Sequence, residues 1–264
     1  MNKIKLNNGV LIPQIGYGTY QIPKEITKEC VLNALKIGYR HIDTAFAYDN
    51  EKEVGEAIRE SQLNRKDVFV TTKVYGAKDY QDACDKIERS LKALNIGYID
   101  LMLIHWPEGD NIALYKAMEY YYHQGKIKAI GVSNFYGEEL NKILTNTEVT
   151  PVLDQIEAHV FYNQKEMQSL LKDRNIVLEA WSPLAAAKFD IFDNPVLLEI
   201  ANKYQKTTAQ VALRYLYQRE IIILPRSKNV ERMKENIDIL DFELDQDDIN
   251  KIETLNENRT VFNV

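Results

Sequence analysis

Cysteine is scarce in this chain: Cys30 and Cys84 are the only two among 264 residues. Both fall in helix-like segments far apart, with no CxxC and no histidine-rich neighbourhood, which excludes a disulfide framework and a zinc site and leaves both as structural residues. No apolar run reaches the ~18 residues of a spanning helix, and Met1-Asn2-Lys3-Ile4-Lys5-Leu6 lacks the apolar segment of a secretory signal. The expected compartment is the cytosol, without membrane contact. Positive charge is also in deficit. A formal net charge of −6 argues against non-specific nucleic-acid binding, which draws on a basic face. No Pro/Gly/Ser-rich linker and no low-complexity segment divides the chain, so residues 1–264 are expected to form a single domain. What is present, 45% hydrophobic and 27% charged residues, is the composition of an ordinary globular protein.

Short β-like runs recur with helix-length segments between them: Ile15 to Gly18, Tyr39 to Thr44, Val68 to Val74, Tyr98 to His105, Ala129 to Ser133, Val152 to Glu157, Val177 to Trp181 and Ile221 to Leu224. The fourth and eighth are apolar nearly throughout, as parallel strands covered on both faces should be. Amphipathic spacing marks helices over Lys24 to Ile37, Asp79 to Leu94 and Thr208 to Tyr217. Asn7-Asn8-Gly9, between Ile4-Lys5-Leu6 and Val10-Leu11-Ile12, suits a hairpin turn because Asn-Gly readily takes positive φ. Eight strands alternating with helices predict a parallel α/β fold, read as a (β/α)8 TIM barrel whose N-terminal β-hairpin closes the bottom. A doubly wound sheet would need a phosphate-binding turn after the first strand. Gly16-Tyr17-Gly18-Thr19-Tyr20-Gln21 offers only G-x-G, with Gln21 where a third glycine belongs.

In a barrel the chemistry gathers at the C-terminal ends of the strands. Asp43 and Tyr48 lie at and just beyond the end of the second run, and Lys73 and His105 at the ends of the third and fourth. Taken singly, Asp43, Tyr48 and Lys73 each have a plain structural explanation: a turn cap, a packed ring, a solvated cation. Together they describe one device. Tyr48 would donate a proton, Lys73 would lower its pKa from the usual value of about 10, Asp43 would hold Lys73, and His105 would give a substrate oxygen a second hydrogen-bond partner.

Gly38 to Gly55, Ile99 to Pro107, Gly131-Val132-Ser133-Asn134-Phe135 and Pro225 to Asn236 resemble the signature segments of the aldo-keto reductase family. The resemblance runs from the hairpin to about Asn258 and is of the short-loop type seen in microbial diketogulonate reductase-like members. It implies a (β/α)8 barrel that reduces small aldehydes and ketones with NADPH, without metal, as a monomer. It implies that Asp43, Tyr48, Lys73 and His105 form the catalytic tetrad. For the cofactor it implies contacts from Gly18, Thr19, Tyr20 and Asp43, from Ser133, Asn134 and Gln155 on the nicotinamide carboxamide, and from Trp181, stacked on the ring, with Ser182 and Leu184.

Pro225-Arg226-Ser227, before a helix beginning near Asn229 or Val230, places a guanidinium, a hydroxyl and free backbone N–H groups where a phosphate could bind. With Arg232 they are read as the grip on the adenosine 2′-phosphate, and Glu235 and Asn236 resemble adenine contacts. Tyr20, Tyr48, Tyr75, His105 and Trp106 are expected to line the substrate pocket. The short loop Trp106-Pro107-Glu108-Gly109-Asp110-Asn111 and the brief tail after Asn258 suggest that this pocket is shallow and open. Tyr75 stands where the family commonly has tryptophan, and Asp154 where it has asparagine, which touches pocket shape and not the tetrad. Two rivals stay in view: a Schiff-base aldolase using Lys73 as nucleophile, and an NADPH-binding sensor barrel with little turnover.

Overall fold

In the computed structural model, which describes residues 2–262, Asn7-Asn8-Gly9 turns between strands β1 (Lys3–Lys5) and β2 (Leu11–Pro13), with Gly9 at φ 87°. The two strands pair antiparallel, Ile4 opposite Ile12. Met1, Asn263 and Val264, which the domain and tail expectations include, lie outside the described residues.

A second sheet holds eight parallel strands in chain order: β3 (Tyr17–Gly18), β4 (His41–Asp43), β5 (Phe69–Val74), β6 (Leu101–Ile104), β7 (Ile130–Ser133), β8 (Leu153–Glu157), β9 (Val177–Trp181) and β10 (Ile222–Ile223). It curls until its edges meet. A parallel bridge joins Ile15 to Ile223, and Gly16 N–H donates to the Ile223 carbonyl at 2.9 Å. The ladders are shorter than several of the apolar runs that predicted them: Tyr39 and Tyr98 lead into their strands without joining them, and Ile221 and Leu224 flank β10. Apolar character reports burial, and Ile99, Ile221 and Leu224 are buried whether or not they hold ladder bonds.

Alternate residues of a strand face the same side, so the interior of the curled sheet can be read in layers. Phe69, Leu101, Leu153 and Ile222 form an apolar floor against which Leu6, beside the hairpin turn, and Ile12, in β2, are packed. Two residues further along β5, β8 and β9, and on β4, the inward positions become polar: His41, Asp43, Thr71, Lys73, Gln155 and Glu179, all buried.

The outer layer is helical: α1 (Lys24–Ile37), α2 (Glu51–Glu60), α3 (Tyr80–Leu94), α4 (Asn111–His123), α5 (Gly137–Asn146), α6 (Lys165–Lys172), α7 (Pro195–Tyr204), α8 (Thr208–Gln218), α9 (Val230–Ile237) and α10 (Gln246–Glu253). Asp79 caps α3 by accepting from Asp82 N–H, and Thr207 and Gln210 form a reciprocal capping box at α8. These caps fix the starts of the segments whose spacing had marked them. None of the helices among the described residues is long and apolar enough to cross a membrane.

Gly55 of α2 lies against the C-terminal end of α3, where a Cβ would meet the Leu94 carbonyl oxygen at 1.9 Å. That oxygen also accepts from Arg59 at 2.8 Å, so the backbone there has no freedom to yield. Gly55→Ala is expected to lower stability by about 2 kcal/mol, overpacking outweighing alanine's better helix propensity. A urea midpoint at or above wild type would show that the two helices can separate without cost.

Candidate active site

Asp43 ends β4, and Lys73 is the penultimate residue of β5. Lys73 Nζ donates to Asp43 Oδ1 at 2.6 Å, to the Thr44 carbonyl at 3.0 Å and to the Tyr48 hydroxyl at 3.4 Å. All three ammonium protons are therefore engaged. Lys73 is fully buried and Asp43 nearly so. Burial pulls the lysine pKa down, but attraction to Asp43 outweighs it and holds the ammonium above its ordinary value. The Asp43 carboxyl is pushed up by burial against the pull of Lys73.

Tyr48 is carried by a 3-10 turn, Phe46–Tyr48, directly after β4. Asn50 steadies this turn, accepting from Thr44 Oγ1 at 2.7 Å and donating to the Thr19 carbonyl at 3.2 Å. The Tyr48 hydroxyl lies 3.5 Å from His105 Nε2, and Tyr20 packs over its ring at 5.1 Å. Lys73 does lower the tyrosine pKa, by its charge and by its hydrogen bond, but a net lowering does not result. Burial pushes the phenol up to about 12, and Lys73 only moderates that rise, because its charge is already met by Asp43. Burial, then repulsion from Lys73, takes His105 down to about 3, so its imidazole is neutral.

These groups open into a cavity of about 1050 Å³. Tyr48, His105, Tyr20, Tyr75 and Trp106 stand at one end, and Arg226, Ser227, Arg232, Glu235 and Asn236 at the other, with Gly18, Asp43, Ser133, Asn134, Gln155, Trp181, Ser182 and Leu184 also on its walls. Two of the expected site residues do not line it. Thr19 is buried, its hydroxyl turned to the Asp43 carbonyl at 3.0 Å, and Lys73 lies behind Asp43 and Tyr48.

The polar wall between the two ends is internally braced. Trp181 Nε1 donates to Asn134 Oδ1 at 2.9 Å, Asn134 Nδ2 donates to the His105 carbonyl at 3.1 Å, and Ser133 Oγ donates to the Gln155 carbonyl at 2.7 Å. At the cationic end part of the expected set of free N–H groups is engaged: Asn229 caps α9, accepting from Glu231 and Arg232 N–H. Among the described residues no carboxylate lies within ion-pair distance of Arg226, Lys228 or Arg232.

Three features escaped the sequence reading. Lys228 joins the cationic end, Glu179 sits beneath Asp43, and the tail reaches the cavity. The tail was expected to leave the pocket open, yet Phe262 lines it, 5.4 Å from Trp181. Glu157, at the end of β8, holds it there by accepting from Thr260 Oγ1 and from Val261 N–H, and Lys188 donates to the Val261 carbonyl. No sequence period marks such a clamp. Its partners are a strand end and a segment about a hundred residues later.

Glu157→Leu, similar in size, leaves the Val261 and His159 donors unanswered and costs Thr260 one of its two acceptors. Hydrogen bonds to a charged group contribute about 1.5–3 kcal/mol, so trypsin is expected to cut after Arg259 at least about tenfold faster, following the population of the released tail. An unchanged cleavage rate would reject the clamp.

Comparisons with known proteins agree on one family. The family profile described as the Aldo/keto reductase family matches residues 14–257. A glyoxal reductase of Bacillus subtilis (strain 168) is 43% identical over 262 residues, covering 98% of this chain and 94% of its own. A methylglyoxal reductase of Escherichia coli (strain K12) is 38% identical, covering 97% and 94%. Among solved structures, an aldo-keto reductase from a Medee basin deep-sea metagenome library superposes with a TM-score of 0.96 at 41% identity, covering 98% of this chain and 97% of that one.

Proposed function

Because the chain belongs to the aldo/keto reductase family, we propose that its cavity serves as the active site of an NADPH-dependent reductase of small aldehydes and ketones, built on a (β/α)8 barrel. The observation that carries this reading is the single proton-donating cluster at one end of the cavity: Tyr48 within hydrogen-bond reach of both a buried ammonium and a neutral imidazole. A glyoxal reductase and a methylglyoxal reductase among the relatives favour small activated carbonyl substrates.

The residues present suit a dinucleotide phosphate. Arg226, Lys228 and Arg232 face the cavity without carboxylate partners among the described residues, Ser227 adds a hydroxyl, and the amides of Asn134 and Gln155 with the indole of Trp181 suit an amide-bearing aromatic ring. When bound there, NADPH supplies a hydride to the carbonyl carbon. Tyr48 gives its proton to the carbonyl oxygen, and the phenolate so formed lies 3.4 Å from Lys73 Nζ. His105, held neutral, donates a second hydrogen bond to that oxygen and steers it toward the phenol. A Schiff-base role for Lys73 finds no support: its nitrogen has three acceptors, no lone pair while protonated, and no exposure to the cavity. A sensor with little turnover would have no need of this complete cluster.

Tyr48→Phe is expected to lower the rate of NADPH oxidation with methylglyoxal by roughly 10²–10⁴-fold, the usual worth of a positioned general acid. Cofactor affinity, measured by fluorescence quenching, should stay within a factor of two or so, since the cationic end is untouched. Retention of more than about a tenth of the activity would remove Tyr48 from the role of acid.

The wild type is expected to bind NADPH more tightly than NADH, because only NADPH carries the phosphate that Arg226, Ser227 and Arg232 would grip. Arg232→Ala should weaken NADPH binding by at least about tenfold, one charge-assisted bond contributing about 1.5–3 kcal/mol, with NADH affinity unchanged. Equal dissociation constants for the two cofactors in wild type would refute the assignment.

A further inference from the structure

Beneath the proton-donating cluster lies a second carboxylate that the proposed chemistry does not use. Glu179, on β9, is fully buried. Its Oε2 accepts from Gln155 Nε2 at 2.8 Å, and the same nitrogen donates to Asp43 Oδ2 at 2.9 Å. One amide thus bridges two carboxyl groups, Asp43 on one side and Glu179 on the other. Glu179 Oε1 has no hydrogen-bond partner and lies 3.8 Å from His41 Nε2.

The charges of this interior do not balance if both carboxyls are ionised. The titratable groups facing Glu179 are His41 and Asp43 from β4 and Lys73 from β5; β8 presents Gln155, and β10 presents isoleucines. Lys73 is the one cation among them, and it makes its short contact with Asp43. His41 cannot serve as a second cation: its ring fills the space left by Gly16, where a Cβ would meet His41 Nδ1 at 2.7 Å, and burial takes its pKa down to about 3. Two carboxylates served by one ammonium, with Glu179 fully buried and Asp43 nearly so, is an arrangement that a proton relieves.

We propose that Glu179 is a positioning residue of the proton-donating cluster: it is held as a carboxylic acid, so that Lys73 serves a single carboxylate, Asp43, and its remaining field falls on Tyr48. The proton resides on Oε1, the oxygen without a hydrogen-bond partner, 3.8 Å from a His41 Nε2 that is itself paired with Thr71 Oγ1, while Oε2 remains the acceptor of the Gln155 bond. Burial and the Asp43 charge raise the Glu179 pKa to about 8, so the proton is present at neutral pH and leaves on mild alkalinisation. Its loss places a second negative charge near Lys73, shields Tyr48 from the ammonium and makes the phenol a weaker acid. The effect on turnover rests on the reductase reading above; the protonation of Glu179 does not.

Glu179→Gln tests both parts, because glutamine copies the protonated acid: its carbonyl oxygen can accept from Gln155 while its NH2 faces His41. In ligand-free protein, the infrared difference between wild type and Glu179→Gln at pH 6.5 or so should show a carboxylic-acid C=O band in wild type alone, bleaching as pH rises through about 8. If no acid band is lost on substitution, the proposal is overturned whatever the enzyme's activity. In holoenzyme, the methylglyoxal reduction rate, each profile normalised to its own value near pH 6, should fall about threefold through the same range in wild type and stay level in Glu179→Gln, since a one-unit change in acidity passes to the rate with a Brønsted slope near one half. A fall common to both proteins would overturn the coupling to Tyr48. Should the glutamine variant not fold, Glu179→Leu, of similar volume and without a titratable group, gives the same two readings. An acid band at Glu179 with no turnover in any protein would instead count against the reductase reading and leave the protonated glutamate standing.

Discussion

The contact between Lys73 and Asp43 is the constraint around which the rest of the interior is arranged. Taking an ammonium and a carboxylate out of water costs several kcal/mol per ion, and their attraction offsets this only where every remaining proton and lone pair finds a partner. Here the partners come from separate parts of the chain. Thr44 and Tyr48 complete the lysine, and Gln155, more than a hundred residues beyond Asp43, answers the second carboxylate oxygen. The pair is therefore satisfied only when β4, β5 and β8 stand in register around one interior. Removing either partner would strand a buried charge, a loss of about 3–5 kcal/mol. The same closure that satisfies the pair brings the Tyr48 hydroxyl to the ammonium, so folding and the assembly of the site are one event.

The floor of the sheet explains why this polar layer can exist at its other end. Phe69, Leu101, Leu153 and Ile222, closed over by Leu6 and Ile12, keep water from the N-terminal side. The polar residues above them consequently meet water only through the cavity. Gly131 and Gly16 let the interior close: a Cβ at Gly131 would meet the Leu153 carbonyl at 2.7 Å, and His41 and Leu224 occupy the place of one at Gly16. That low-dielectric setting accounts for the directions of the titrations together. Tyr48 and Glu179 rise, His41 and His105 fall, and Lys73 resists only because Asp43 is beside it.

Much of this was legible in the sequence, and the reasons differ by element. Helices such as α1 and α3 were readable because their apolar spacing is local, and the order of strands followed because each connection holds a helix. Asp43, Tyr48, Lys73 and His105 could be singled out because strand ends are where a parallel α/β fold gathers polar groups, and their surroundings carried family motifs. Sequence names the neighbours of a titratable group but not how much water it loses, and for that reason the direction of the Tyr48 shift was misjudged. Glu179 lies inside Val-Leu-Glu-Ala-Trp, where it reads as an ordinary outward strand residue until the register with Gln155 is known. Asn229 was placed at a helix start, but whether its side chain or a ligand takes the first N–H groups depends on its rotamer.

The cavity joins two ends of unlike character, and the chain's net charge does not foretell either. A protein of formal charge −6 concentrates Arg226, Lys228 and Arg232, all three exposed, along one stretch of wall, a local basic patch on an acidic chain. Between β9 and α7, Ala185, Ala186 and Ala187 all take positive φ, from 49° to 59°, a conformation costly for residues with a Cβ. Lys188, immediately after them, bonds the tail that seats Phe262 on Trp181. At the opposite end Tyr20 packs on the Tyr48 ring, and Tyr75 and Trp106 pack on His105, without adding a charge. In our reading, an anionic cofactor is therefore held by its charged portion far from the reacting carbon, while the substrate end provides flat apolar contact and a single pair of polar groups. Selection there rests on the carbonyl itself, because little else of a small substrate meets a directional partner.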